Sequence, residues 1–332
     1  MSYVTILSSI LAVLGTLVVA VFVGTLLPGF ERKYIQARLQ QRIGPNFASP
    51  GLFSTIKFFF KKNLNINSPV PSLYKALPVV CFIAVFLVFL TLTPQNYEFL
   101  AFASLIAIIG FLKIDEIAYV LMGSLSKSVM SANMPFPDHV KGGARINTNV
   151  SFLEDISSNR SLRMIAFGSF PLYLSLFVPV ALSGSIYLSD IVTMQQIQGP
   201  FLFTVSGAIG AIVFLIGYII MLNEFPFNIV DAEADVIQGP YMEYAAGSRA
   251  FVYLTKGFLM FALASIFCVL YLGVAPNILS WGILINIIVA FIFPVIVGIL
   301  SAFSPVFTYR QFYPVVIATS LLGVLAIVVG LF

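Results

Sequence analysis

The chain has 332 residues, of which 60% are hydrophobic and only 9% charged, and its mean hydropathy is +1.03. A soluble domain carries roughly 25% charged residues, so lipid is the expected solvent. The net charge of +4 comes from Lys and Arg scattered between apolar runs, which reads as membrane topology and excludes nucleic-acid binding. Two cysteines, Cys81 and Cys268, and one histidine, His139, lie far apart in sequence. No zinc, haem or iron–sulfur site can be built from that inventory, so no cofactor is expected on this chain.

A bilayer core needs about 20 apolar residues per helix. Such runs occur near 4–27, 76–94, 98–121, 161–183, 201–222, 249–273, 279–302 and 313–331. The expectation is an all-α polytopic membrane protein with about eight transmembrane helices, forming a single membrane domain over 1–332 without internal repeats. The first run lacks a basic leader and exceeds a signal-peptide core, so it reads as a retained helix. The third carries Lys113, Asp115 and Glu116 in its last third, which makes it the weakest span by hydropathy. Short connections near Pro94, from Gly184 to Pro200 and near Pro276 alternate with long ones at 28–75, 122–160 and 223–248. All 17 Lys and Arg fall in or beside the first, third, fifth and seventh connections, whereas Glu98 and Asp190 are the charges of the opposite face. The positive-inside rule puts the long loops in the cytoplasm and both termini outside.

The first connection holds Glu31, Arg32, Lys33, Arg38 and Arg42 before the turn Gly44-Pro45-Asn46. Leu52, Phe53, Ile56, Phe59 and Phe60 follow at helical spacing, closed by Lys61 and Lys62, as in an amphipathic helix lying in the membrane interface. Its bases are open to two readings: topology-setting contacts with anionic lipid, or partner docking. The third connection contains His139, which reads as a surface residue, together with Lys141, Arg145, Glu154 and Asp155.

The fifth connection gathers Glu224, Asp231, Glu233, Asp235 and Glu243 between apolar runs, with Arg249 as its base. Asp231 and Asp235 are four residues apart and share a helical face. Carboxylates this close repel, so one or more should hold a proton near neutral pH, as a relay requires. A solvated acidic loop that docks on a basic partner is the other reading, and spacing alone leaves both open.

These residues resemble the membrane subunit that forms the quinone chamber of respiratory complex I, and its counterparts in membrane-bound nickel–iron (NiFe) hydrogenases. The resemblance runs over nearly the whole chain. It is carried by E-R-K at Glu31 to Lys33, Q-x-R-x-G-P-N at Gln40 to Asn46, Y-V-L-M-G at Tyr119 to Gly123, and P-F-N-x-x-D-x-E-x-D-x-x-x-G-x-x-x-E-Y from Pro226 to Tyr244. It implies that Asp231, Glu233, Asp235 and Glu243, with Glu224 and Glu154, conduct protons from a redox module into the membrane. Glu31, Arg38, Arg42, Gly44, Pro45, Asn46 and Arg145 would dock that module. Met221, Asn223 and Glu224 stand where the quinone-type proteins have E-x-N-R, and Ser126, followed by Lys127, stands at their arginine.

Those departures point to the archaeal-type hydrogenase branch or the related sulfane reductase complex. The implied function is the membrane anchor and ion-coupling subunit of a ferredoxin-linked, hydrogen-evolving complex that moves protons or sodium. A sulfane-sulfur or quinone reductase subunit is the alternative, and a secondary transporter is the reading from another class. The implied partners are hydrogenase-like large and small subunits and a ferredoxin-like iron–sulfur subunit on the cytoplasmic side, antiporter-like membrane subunits, and lipid. The NiFe centre and iron–sulfur clusters would sit in those partners.

Overall fold

The structure, a computed structural model, describes residues 3–62, 68–93, 103–126, 152–230 and 239–332. The protein is all-α, with 79% of the chain helical. In order the helices are α1 (Tyr3–Phe30), α2 (Ser54–Phe59), α3 (Pro71–Leu92), α4 (Leu105–Ser124), α5 (Phe152–Gly168), α6 (Phe170–Ser183), α7 (Leu188–Gln198), α8 (Val205–Met221), α9 (Ala246–Phe267), α10 (Gly282–Phe303) and α11 (Tyr309–Leu331). Six segments among the described residues are long and apolar enough to cross a membrane: Ile10–Leu39, Pro71–Leu92, Ser157–Ser183, Ala246–Leu272, Gly282–Phe303 and Tyr309–Leu331. Two further helices are special: α8 is apolar but shorter, and α4 carries Lys113, Asp115 and Glu116 in its middle.

The most enclosed span is Ala246–Leu272, built on α9, where Phe261, Ala262, Leu263 and Ala264 are fully buried. From Gly257 to Tyr271 its residues are buried on every face, which suits a helix with protein all round. It contacts α1, α2, α3 and α10. By contrast α1 and α11 turn leucines and valines outward, as lipid-facing helices do. Small residues set the closest approach. A Cβ on Gly24 of α1 would lie 2.6 Å from the Gly257 carbonyl oxygen of α9, and a Cβ on Gly257 would lie 2.7 Å from that of Gly24. The two backbones therefore touch, the small-residue crossing that stands in for hydrophobic drive inside lipid.

The 28–75 connection begins as a continuation of α1. After Pro28, which lacks an N–H for the helical ladder, the chain passes through a π-helical turn over Glu31–Gln36. That turn packs on α10 and directs Glu31 inward while Arg32 and Tyr34 stay exposed. The interfacial segment is helical from Ser49 to Phe59, and its Phe53, Ile56, Phe59 and Phe60 are exposed beside Lys57, Lys61 and Lys62. The connection between α6 and α8 contains a further helix, α7, whose buried Gln195 donates to the carbonyls of Val269 and Leu270 at 3.0 and 3.1 Å. These are the carbonyls of a π-helical turn, Cys268–Leu272, that ends α9. A buried carbonyl freed by irregular winding needs such a donor.

Candidate functional site

Two clusters of charge, each with a partly exposed lysine, contribute Asp115, Glu116 and Lys256 to the lining of one cavity. The first joins three elements. Glu31 comes from the π-helical turn after α1 and is 5% exposed. It fits because α10 has Gly298 opposite: a Cβ there would lie 2.8 Å from Ile35 Cγ2 and 3.2 Å from Glu31 Cγ. Glu224 leaves the end of α8 through Asn223, whose φ of +51° is the left-handed conformation that asparagine tolerates. The following P-F pair anchors this exit: the Pro226 carbonyl accepts from the Phe307 N–H at 2.8 Å, and the Phe227 ring meets Phe307 edge-on at 5.4 Å. Lys256, next to the Gly257 crossing on α9, places Nζ 2.8 Å from Glu224 Oε1. Glu31 lies within electrostatic reach of both Glu224 and Lys256.

The second cluster is centred on α4. Lys113 Nζ lies 2.6 Å from Glu116 Oε2, donates to Ser169 Oγ at 2.8 Å, and sits 4.5 Å from the centre of the Tyr173 ring. The Tyr173 hydroxyl donates to Glu116 Oε1 at 3.2 Å. Asp115 is buried beside Cys81 of α3, whose thiol donates to the Asp115 backbone carbonyl at 3.8 Å. Charges inside a spanning helix are costly and usually functional. The i, i+3 spacing puts Lys113 and Glu116 on one face.

Between the clusters is a cavity of about 130 Å³. It is lined by Asp115, Glu116, Ser169, Asn223 and Lys256, with Met122, Met164 and Leu259 among its apolar residues, and Tyr241 and Tyr253 form an aromatic rim. Arg249 donates to the Tyr241 carbonyl at 2.7 Å and stacks 4.7 Å from the Tyr241 ring and 5.2 Å from that of Tyr253. Tyr244 stacks on Tyr74 at 4.4 Å and donates to the Tyr74 carbonyl at 2.6 Å. Burial pushes the Tyr244 phenol above its ordinary value, and Tyr74 adds to this.

Among the residues singled out from sequence, the structure brings Glu31 and Glu224 together. Glu243 is half-buried in the turn before α9. Arg38, Arg42, Pro45 and Asn46 are exposed, and Gly44 packs on the turn that carries Glu31, where a Cβ would meet Ala37 Cβ at 2.8 Å. Asp231, Glu233, Asp235, Arg145 and His139 lie outside the described residues, as does the side chain of Glu154. Sequence reasoning did not assign roles to Lys113, Asp115, Glu116, Tyr173 or Lys256. The signal was available for three of them: charge inside an apolar run counts against a span by hydropathy, but it is equally the mark of an intramembrane site.

A model of the family described as NADH dehydrogenase matches residues 10–132 and 147–331. An uncharacterized protein of Methanocaldococcus jannaschii is 39% identical over 98% of this chain and 99% of its own length. An NADH-quinone oxidoreductase subunit of Bacillus cytotoxicus is 28% identical over 73% of this chain and 67% of its own. A chain in the structure of the membrane-bound sulfane sulfur reductase, an archaeal respiratory membrane complex, superimposes with a TM-score of 0.78 at 21% identity, covering 97% of this chain and 99% of that one. With the family match spanning both halves of the chain and including the loops that hold Glu31 and Glu224, this protein belongs to the NADH dehydrogenase family, that of complex I subunit 1.

Proposed function

We propose that this chain is the membrane-anchor and ion-coupling subunit of a ferredoxin-linked respiratory complex that evolves hydrogen. The observation that supports the coupling role is the pair of carboxylate–lysine clusters that contribute Asp115, Glu116 and Lys256 to one cavity. Buried ionisable groups placed in series across several helices are the parts of an ion path. On this reading Asp231, Glu233, Asp235, Glu243, Glu154 and Glu224 serve as the relay acids. The long loops face the cytoplasm, where exposed Arg38, Arg42, Pro45 and Asn46, together with Arg145, receive the redox subunits. The nickel–iron centre and iron–sulfur clusters reside in those partners, and antiporter-like subunits continue the membrane arm.

The absence of the quinone-type E-x-N-R at 221–224 favours hydrogen evolution over quinone reduction. A second reading, sulfane-sulfur reduction, is favoured by the superposition on a chain of a sulfane sulfur reductase complex. Purification from native membranes with nickel and iron analysis decides between them. Nickel with hydrogen evolution from reduced ferredoxin supports the first, whereas iron without nickel supports the second. A metal-free isolated chain that moves a solute by itself would replace both with a secondary transporter. The coupling role has its own test. Glu233→Gln or Asp235→Asn should assemble normally yet lose turnover-coupled ion movement, and normal pumping by both variants would leave the loop a docking surface only.

A further inference from the structure

The segment around α2 lies outside both charge clusters and presents two chemistries on one face. From Gly44 to Lys62 the sequence has three lysines, Lys57, Lys61 and Lys62, and no acidic residue. All three are exposed, and among the described residues no carboxylate is paired with any of them. Phe53, Ile56 and Phe60, three and four residues apart, are exposed beside them, Phe60 to 87%. The opposite face of the segment is fixed to the bundle. A Cβ on Gly51 would strike the Thr25 carbonyl of α1, and the buried Thr55 donates to the Gly51 carbonyl at 2.9 Å. On α9, Tyr253 stacks on Phe58 at 5.6 Å and Phe251 meets Phe59 edge-on at 5.5 Å. Lys61 lies back over the Phe58 ring, 5.1 Å from its centre. The apolar residues that point outward are therefore held there, by two helices long and apolar enough to cross the membrane.

We propose that this face docks on the anionic headgroup layer of the membrane, with Phe53, Ile56 and Phe60 entering the acyl boundary and Lys57, Lys61 and Lys62 meeting lipid phosphates. Spacing alone leaves these bases open between lipid and a protein partner; the outward mixture of phenylalanine and lysine favours lipid. Lysine is depleted at the centre of protein interfaces. An interfacial helix instead sinks its apolar face into the headgroup boundary, while lysine stems run along that surface and carry the ammonium back to the phosphates. A neutral bilayer would accept the phenylalanines but leave three ammonium groups without counter-charge. An anionic one supplies it, with each lysine near the surface contributing about fivefold in affinity. The inference uses none of the clustered carboxylates, so it stands or falls apart from the ion-coupling reading.

A fluorophore attached at Phe60→Cys reports on the face directly, because the native Cys81 and Cys268 are buried. The full chain is placed in nanodiscs of phosphatidylcholine, and phosphatidylglycerol carrying a nitroxide on its acyl chain is titrated in as quencher. Quenching should exceed that by nitroxide-labelled phosphatidylcholine, and the difference should shrink at high salt, where exposed charges are screened. Combining Lys57→Gln, Lys61→Gln and Lys62→Gln should lower the preference for the anionic lipid about a hundredfold, the product of three lysines. Arginine at the same three positions should keep it. Equal quenching by the two lipids around the chain with its lysines intact overturns the proposal, and so does a fluorophore reached only by a water-soluble quencher. If the Gln variant keeps its lipid preference but loses a subunit that co-purifies with the native complex, the proposal also fails and the lysines belong to a protein partner.

Discussion

The Lys113 and Lys256 clusters are alike in composition and in exposure, with lysine side chains 36% and 35% exposed and partner carboxylates 7% and 14% exposed. They differ in how firmly their parts are held. Lys113 is fixed by Glu116, Ser169 and the face of Tyr173, and Glu116 also accepts from Tyr173. The Lys256 cluster draws on a π-helical turn, a loop exit and α9, with Glu31, Glu224 and Lys256 each coming from a different element. The first is built as an anchor that ties α4 to the junction of α5 and α6. The second depends on three separately wound segments meeting, so a shift of any one of them moves a charge.

The largest effect should come from breaking the anchor. Lys113→Met strips the cation from a buried carboxylate; because Lys113 itself is 36% exposed and partly screened by solvent, the expected cost is about 2–3 kcal/mol, below that of a fully buried pair. The double variant Lys113→Met with Glu116→Leu should recover most of that loss. Thermal unfolding of the purified protein in detergent measures both, and equal destabilisation by single and double variants would show that the pair does not act as an anchor. Next in size is Gly24→Val, which drives a side chain into the Gly257 carbonyl 2.6 Å from its Cβ. Overpacking of this kind costs about 1–3 kcal/mol. Because Lys256 adjoins Gly257, this variant should also loosen the Lys256–Glu224 pair and lower coupled turnover, while leaving the Lys113 cluster intact. Tyr173→Phe comes third, removing one hydrogen bond to a carboxylate that keeps its pairing with Lys113, at a cost of about 1.5 kcal/mol. Because Lys113 still pairs with Glu116, the effect should be smaller than that of Lys113→Met in the same unfolding measurement, and an equal loss would show that Tyr173 and not Lys113 anchors the cluster.

Much of this was legible in the sequence. The all-α polytopic class follows from long uncharged runs, and E-R-K, G-P-N and P-F-N mark the elements that deliver Glu31 and Glu224. What stayed hidden depends on approach in three dimensions. Lys256 sits midway along α9, and nothing in linear order pairs it with Glu224, 32 positions earlier. Hydropathy treats Lys113, Asp115 and Glu116 as defects in a span, although a lysine three residues before a glutamate also reports a neutralised pair on one helix face. The inward turn of Glu31 depends on the π-helical winding after Pro28 and on the missing side chain at Gly298. Neither is visible in a hydrophobic pattern.

The smallest predicted effect concerns the rim. Tyr244 follows Glu243 at the end of the acidic connection, and its stacking on Tyr74 and its hydrogen bond to the Tyr74 carbonyl tie that end to the start of α3. Tyr244→Phe keeps the stack and loses the hydrogen bond, a change of about 1 kcal/mol. Global unfolding should therefore move little. Local opening should respond more, because a loop held by few contacts opens independently of the core. Amide hydrogen exchange over 239–249 should quicken by about fivefold, the factor equivalent to 1 kcal/mol, while exchange in α4 around Lys113 stays as it was. If exchange quickens equally in both places, the rim and the anchor belong to one cooperative unit, and a loop-side acid series could not rearrange without disturbing the fixed cluster behind it.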